Sequence, residues 1–323
     1  MTARTALITG ISGQDGTYLS ELLVEHGYHV VGTSRSAKGP TASRLADLGV
    51  ELEQWDLRDE AAFEAILRKV RPHEIYNLAA YTEGIGMYDG PVAMGEINGL
   101  VVPRILEAIR TVDPAIRFCQ ASSSEIFGDA LESPQRETTP ANPRNPYGAA
   151  KLYGHNMIRI YRNHFKLFGC SAILFNHESP RRSFNFVTRK VANAAAAVKL
   201  RLVEEVKLGN LDARRDWGFA GDFARAMWLM LQADQADDYV IASGETHSVR
   251  ELCEVAFGRV GLDYRDYVRV SADDYRPPEA RQLVGDPAKA RQRLGWAPTV
   301  SFREIIHTMV DTELEKLSVA VTD

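Results

Sequence analysis

The sequence predicts an α/β fold, a doubly wound parallel sheet followed by a smaller C-terminal domain, on three observations. Short β-type runs alternate with helical runs through the first half of the chain. A glycine-rich turn joins the first strand to the first helix. The alternation then breaks after Asn176, where arginines become dense and Pro180, Pro277 and Pro278 appear. Strands alternating with helices imply βαβ units with right-handed crossovers.

Taken in order, Ala6–Thr9 is a short apolar run closed by Gly10. Thr17–Glu25 carries Tyr18, Leu19, Leu22 and Leu23 at helical spacing and stops at Gly27. Tyr28–Gly32 and Val50–Leu57 read as strands, and Asp59–Val70 as a helix. Glu74–Ala80 is the fourth strand, Leu100–Val112 a helix and Ile116–Ser122 the fifth strand. Asn145–Phe168 is a long helix and Ser171–Asn176 a strand. Asp222–Leu231 and Asp237–Ala242 form one more helix–strand pair that returns to the sheet, and Phe302–Leu317 is a terminal amphipathic helix. This order matches a Rossmann-type dinucleotide-binding sheet.

Composition narrows the class. The 323 residues are 45% hydrophobic and 25% charged, a globular balance with enough chain for a large core. A net charge of −5 argues against a nucleic-acid surface. The cysteines Cys119, Cys170 and Cys253 are far apart and odd in number, which fits a reducing compartment and neither a disulfide framework nor a metal site. No stretch approaches the ~18 apolar residues of a membrane span, and the N-terminus has no signal-like segment. A cytoplasmic enzyme or binding protein is expected.

The first strand runs into Gly10-Ile11-Ser12-Gly13-Gln14-Asp15-Gly16, spaced GxxGxxG. Glycines there let the backbone approach a pyrophosphate, and the following helix N-terminus adds N–H groups and a positive dipole. Where an NAD enzyme carries an acid to hold ribose hydroxyls, this chain has Thr33-Ser34-Arg35-Ser36. An arginine among hydroxyl residues suits a 2′-phosphate, so NADP is the predicted cofactor. Asp56, at the end of the third strand, serves equally as an acceptor for the adenine amino group or as a helix cap.

Ser122-Ser123-Ser124-Glu125 follows the fifth strand, and Tyr147-Gly148-Ala149-Ala150-Lys151 opens the long helix. Residues four apart share a helical face. The Lys151 charge is expected to lower the Tyr147 pKa towards working pH, making it a base for a substrate hydroxyl. Arg181, Arg182, Arg189, Lys190, Arg214, Arg215 and Arg276 are a basic set in an acidic chain, suited to a diphosphate. Arg181 and Arg214 are equally well read as solvated.

The stretches TGISGQDG, SSSEIFG, NPYGAAKLYG, ILFNHESPRR, FVTRK and LGNLDARRDWGFAGD resemble the GDP-mannose 4,6-dehydratases, members of the extended short-chain dehydrogenase/reductase superfamily. The resemblance runs from about Ala6 to Trp296. It implies an NADP-bound lyase that turns a GDP-sugar into its 4-keto-6-deoxy form. It places catalytic roles on Ser123, Glu125, Tyr147 and Lys151, with Tyr147 as base at C4 and Glu125 removing the C5 proton. Cofactor contacts fall on Gly10, Gly13, Gln14, Asp15, Gly16, Arg35, Asp56, Leu57, Leu78, Ala79, Ala80, Tyr147, Lys151, His177 and Arg182. Nucleotide-sugar contacts fall on Asn176, Lys190, Arg215, Arg276 and Glu279.

The chain departs from the family pattern at Tyr81, where glutamine is usual, and in the Tyr81–Tyr88 segment, where Glu83 adds a carboxylate and Gly84 and Gly86 add freedom. Arg281 stands where the family has an acid. A modified sugar such as a GDP-heptose therefore remains an alternative to GDP-mannose. So do a nucleotide-sugar 4-epimerase or 4-reductase, which need no C5 base, and a non-catalytic NADP-binding protein. The expected division is residues 1–175 plus about 217–243 for the cofactor and 176–216 plus about 244–323 for the nucleotide-sugar. The basic segment 33–44 is expected to lie between subunits of a homodimer or homotetramer.

Overall fold

The computed structural model describes residues 3–34, 39–81, 88, 90–271 and 282–322. In chain order the first elements are β1 Thr5–Thr9, α1 Gln14–Glu25, β2 His29–Ser34, α2 Pro40–Asp47, β3 Glu51–Gln54, α3 Glu60–Val70 and β4 Glu74–Asn77. There follow α4 Pro91–Gly95, a π-helical turn at Glu96–Leu100, α5 Val101–Val112, β5 Arg117–Ala121, α6 Pro146–Phe165 and β6 Gly169–Leu174. Beyond these come β7 Asn176–Glu178, α7 Val187–Lys199, β8 Val206–Leu208, β9 Arg214–Arg215, β10 Trp217–Phe219, α8 Ala220–Gln232 and β11 Tyr239–Ile241. The last are β12 His247–Ser248, α9 Val249–Arg259, α10 Tyr264–Tyr267, β13 Val268–Val270, α11 Ala288–Leu294 and α12 Phe302–Thr322.

Among the described residues, seven strands form one parallel sheet in the order β11-β6-β5-β4-β1-β2-β3. The order reverses at β1, which pairs with β2 on one side and β4 on the other. In register, Thr9 faces both Thr33 and Asn77. The carboxyl ends of β1, β2 and β4 therefore finish level, at the place where doubly wound sheets bind ligands. The helix–strand pair α8–β11 does return to the sheet, beside β6.

Each sheet face is covered by helices. Leu19 and Leu23 of α1 pack with Phe223, Met227 and Met230 of α8 on one face. Phe63 and Leu67 of α3, Ile105 and Ile109 of α5 and Ile158 of α6 cover the other. A further core joins Val191 and Ala195 of α7, Leu252 and Phe257 of α9, and Ile306 and Val310 of α12. The sequence pattern had not singled out α7. Its run Ala194–Ala197 is buried on successive residues, so it lacks the one-sided stripe by which surface helices are read.

Several boundaries differ from expectation. The third strand stops at Gln54 and the fourth at Asn77, and Trp55, Leu57 and Leu78–Ala80 beyond them line the cavity below. Residues 40–44 of the expected basic segment are helical: Pro40, fixed in φ, opens α2 after Gly39. No helix among the described residues is long and apolar enough to cross a membrane.

Candidate active site

A cavity of about 580 Å³ opens at the carboxyl ends of β1, β4 and β5. Its floor is the glycine turn. Gly10 has φ +67°, and a Cβ there would lie 2.7 Å from the Ala79 backbone. Only glycine lets the β1 turn sit this close to the segment after β4. Gly13 is the N-cap of α1 and no side chain caps that end. The first-turn N–H groups of α1 thus lack a side-chain acceptor and are directed at the cavity. A cradle without Cβ atoms, an uncapped helix end and a long cleft beside it fit a dinucleotide pyrophosphate. The buried Ser122 hydroxyl, which lines the same cavity, has no hydrogen-bond partner among the described residues.

Most of the predicted cofactor residues gather here: Gly10, Gly13, Gln14, Asp15, Gly16, Leu57, Leu78, Ala79, Ala80, His177 and Arg182 all line the cavity. Gln14 Nε2 donates to His177 O at 3.0 Å, and Ser179 Oγ donates to Gln14 Oε1 at 2.8 Å. His177 Nε2 lies 3.0 Å from Asp15 Oδ2. Burial opposes both charges, yet the pair prevails: the Asp15 pKa is lowered and that of His177 is raised. Arg182 stacks 3.5 Å over Phe186 and pairs with the buried Glu178 at 3.2 Å.

Asp56 is exposed and does not line the cavity, although its neighbours Trp55 and Leu57 do. Of its two expected roles, the helix cap belongs instead to Asp59, whose Oδ1 accepts from Ala62 N at 2.9 Å. Asp56 accepts from Arg58 N. Arg35, Arg276, Glu279 and Arg281, and Glu83 with its loop neighbours 82–87, lie outside the described residues.

The four expected catalytic residues share one wall of the cavity. Ser123 follows β5, and its Oγ accepts from Glu125 N at 3.2 Å. That leaves the hydroxyl proton for the side-chain hydrogen bond to Tyr147. Lys151 is buried and donates from Nζ to Ala121 O at 2.8 Å. Glu125 Oε2 accepts from Asn145 Nδ2 at 2.7 Å.

The electrostatics correct one expectation. Burial pushes the Tyr147 phenol up to about 12 and the Lys151 ammonium down to about 8. Lys151 is not among the larger influences on Tyr147: its Nζ sits 5.7 Å from the ring centroid and donates to the Ala121 carbonyl. What favours the phenolate is the Ser123 hydroxyl and then the Arg182 charge.

The predicted sugar-side residues are only partly assembled. Asn176 lines the cavity, whereas Lys190 and Arg215 do not. Arg215 lies in β9, where its Nη1 donates to Arg214 O at 2.7 Å. Arg181 is not a solvated arginine. It stacks 3.9 Å over Tyr18 and pairs with Glu21 at 2.8 Å, and Glu21 also holds Arg44 of α2. Arg214 is likewise engaged, donating to Thr246 O at 2.6 Å.

Three contributors were not read from the sequence. Asn98, in the π-helical turn, receives Tyr81 N at 3.0 Å and donates to Tyr81 O at 3.1 Å, fixing the start of the divergent segment. Trp55 stacks on Phe63 and lines the cavity. Asn145 reads in the sequence only as the start of a helix. The sole signal for it was its place before Pro146, an N-cap position.

Comparison with known proteins gives a consistent likeness. The family model for GDP-mannose 4,6 dehydratase matches residues 7–309. GDP-mannose 4,6 dehydratase 1 of Arabidopsis thaliana is 43% identical over 97% of this chain and 90% of its own length. The human GDP-mannose 4,6 dehydratase is 42% identical over 96% of this chain and 91% of its own. Among solved structures, the UDP-glucose 4-epimerase of Thermus thermophilus in complex with NAD superposes with a TM-score of 0.82 at 26% identity, covering 96% of this chain and 98% of that one.

Proposed function

The chain belongs to the GDP-mannose 4,6-dehydratase family, and from that premise we propose that it is an NADP-dependent lyase converting GDP-mannose to its 4-keto-6-deoxy form. The observation that carries this reading is the cavity wall on which a carboxylate, Glu125, stands beside the Ser123, Tyr147 and Lys151 set. A 4-epimerase or 4-reductase has no use for that carboxylate.

NADP, when bound, supplies the oxidation at C4 and the later reduction at C6, which cancel. The glycine turn and the α1 N-terminus would hold its pyrophosphate, and Arg35 its 2′-phosphate. Tyr147 takes the proton of the C4 hydroxyl, helped by the Ser123 hydroxyl. A ketone at C4 then acidifies the C5 proton, which Glu125 removes. The protonated Glu125 returns that proton to the C6 hydroxyl, which leaves as water, and C5 regains a solvent-exchanged proton as C6 is reduced, balancing the one Tyr147 took from the C4 hydroxyl. Lys151 adds a buried positive charge beside these steps.

The reading extends to organisation. The first division, residues 1–175 with about 217–243, holds the cofactor, and the remainder holds the nucleotide-sugar. Assembly as a homo-oligomer is supported by exposed apolar side chains on neighbouring elements: Val92 of α4, Leu100 and, on one face of α6, Tyr153 and Ile160.

The test is incubation with GDP-mannose and NADP in deuterated water, followed by mass spectrometry. Loss of one water with one deuterium gained at C5 is expected. Conversion without loss of water would sink the dehydratase assignment and favour epimerisation.

A further inference from the structure

We infer that Asn145 is a positioning residue for the C5 proton transfer, holding the Glu125 carboxylate in one orientation; this rests on the reading of Glu125 as the C5 base. Asn145 is 7% exposed, and both ends of its carboxamide are committed. Its Oδ1 accepts from Gly148 N at 2.8 Å and caps α6. Its Nδ2 donates to Glu125 Oε2 at 2.7 Å. One side chain therefore fixes both the helix that presents Tyr147 and Lys151 and the carboxylate beside them.

The two pieces are already pressed together. A Cβ at Gly148 would lie 2.3 Å from Glu125 O, so only glycine lets the first turn of α6 approach the Ser124–Ile126 turn this closely. The orientation follows from the hydrogen-bond inventory. With its oxygen occupied by the Gly148 amide, the carboxamide presents only N–H to Glu125. Oε2 is thereby engaged, and Oε1 would be the oxygen that meets the substrate. The other titratable groups on this cavity are Tyr81 after β4, Tyr147 and Lys151 of α6, Asp15 of α1, His177 of β7 and Arg181, Arg182 and Arg189 beyond it. Of the four catalytic candidates, Glu125 is the one to which Asn145 donates.

Serine and aspartate both cap helices well, so Asn145→Ser and Asn145→Asp keep the α6 cap while removing the Nδ2–H that reaches Glu125, the serine hydroxyl being one atom shorter. The expected result for Asn145→Ser is a melting temperature close to the parent's and a loss of about 10- to 100-fold in kcat, the size of one hydrogen bond to a charged group. KM should change little, and exchange of the C5 proton with deuterated solvent should slow with kcat, while NADPH formed in a single turnover keeps its parental rate. Asn145→Asp, which sets a second carboxylate beside the first, should displace Glu125 and slow that exchange further. A merely structural residue would change stability and leave the ratio of C5 exchange to NADPH formation in place. The inference is overturned if either variant folds with parental C5 exchange while Glu125→Gln abolishes dehydration. If Glu125→Gln itself dehydrates normally, the base assignment falls and this inference with it.

Discussion

His177 Nδ1 lies 2.7 Å from the carbonyl oxygen of Phe175, and its Nε2 lies 3.0 Å from Asp15 Oδ2. Both neighbours are acceptors, so beside an ionised Asp15 both ring nitrogens carry protons and the ring is an imidazolium. It stacks on Phe223 at 4.6 Å. The pair ties the first turn of α1 to β7, which also carries Asn176.

This joint should weaken on the alkaline side. The folded pKa of His177 is raised, so its stabilisation is complete below the unfolded value of about 6.5 and is lost as pH rises through the folded value. That of Asp15 is lowered, so its share is present above about 3.9 and lost as pH falls through the folded value. An NMR titration should put the His177 midpoint above 6.5. His177→Gln should flatten that part of the stability–pH curve, and an unchanged curve would contradict the pairing.

Lys151 sacrifices stability. The residue is 3% exposed, and burial lowers its pKa to about 8. Lys151→Met should raise the melting temperature of the cofactor-free protein by about 2 °C or more while abolishing turnover. Ala121 O would not be orphaned, because Gln120 Nε2 also donates to it. Since a lowered lysine pKa makes the parent gain stability between about pH 8 and 10.4, the advantage of Met should shrink over that range. A destabilised Lys151→Met variant would count against this account.

Tyr147→Phe should cut dehydration by about 10²–10⁴-fold, the range for removing a general base. Dinucleotide affinity should change little. Because the phenol stands at about 12, turnover in the parent should rise with pH up to the point where other groups fail. Retention of activity within threefold, roughly, would exclude Tyr147 as the base.

Gly10→Ala should disrupt the cradle. Its Cβ would meet the Ala79 backbone at 2.7 Å in a conformation that L side chains rarely adopt. A loss of about 1–3 kcal/mol is expected for such overpacking, read as a lower melting temperature together with weaker NADP binding by calorimetry. A variant that binds NADP with parental affinity would show that the turn tolerates the methyl group.

Arg35→Asp should reverse the cofactor preference, losing about tenfold or more in NADP affinity while NAD binding holds or improves. Equal affinity of the parent for both dinucleotides would remove the basis of the NADP assignment at this position.

The sheet was legible because its order follows from local signals. β1, the glycine turn and α1 are contiguous in sequence, and period-2 and period-3.6 patterns are local properties. The catalytic set was legible for the same reason: Ser123 and Glu125 lie two apart, and Tyr147 and Lys151 four apart on one helix. The divergent Tyr81–Tyr88 segment was legible as unusual, but not its anchor. The Asn98 side chain that holds Tyr81 lies 17 residues along the chain and carries no pattern.

The sequence by itself thus determined the elements, the dinucleotide turn and the identity of the reacting side chains, because each is encoded within a few consecutive residues. Only the tertiary structure decided how those side chains are charged and held. Lys151 faces Ala121 O instead of the Tyr147 phenol, Arg181 is clamped by Glu21 instead of solvated, and Asn145 joins α6 to Glu125. Each of these depends on how closely separate elements pack and how much water they exclude. Burial and distance set the strength of a charge or hydrogen bond, and neither is written in residue spacing.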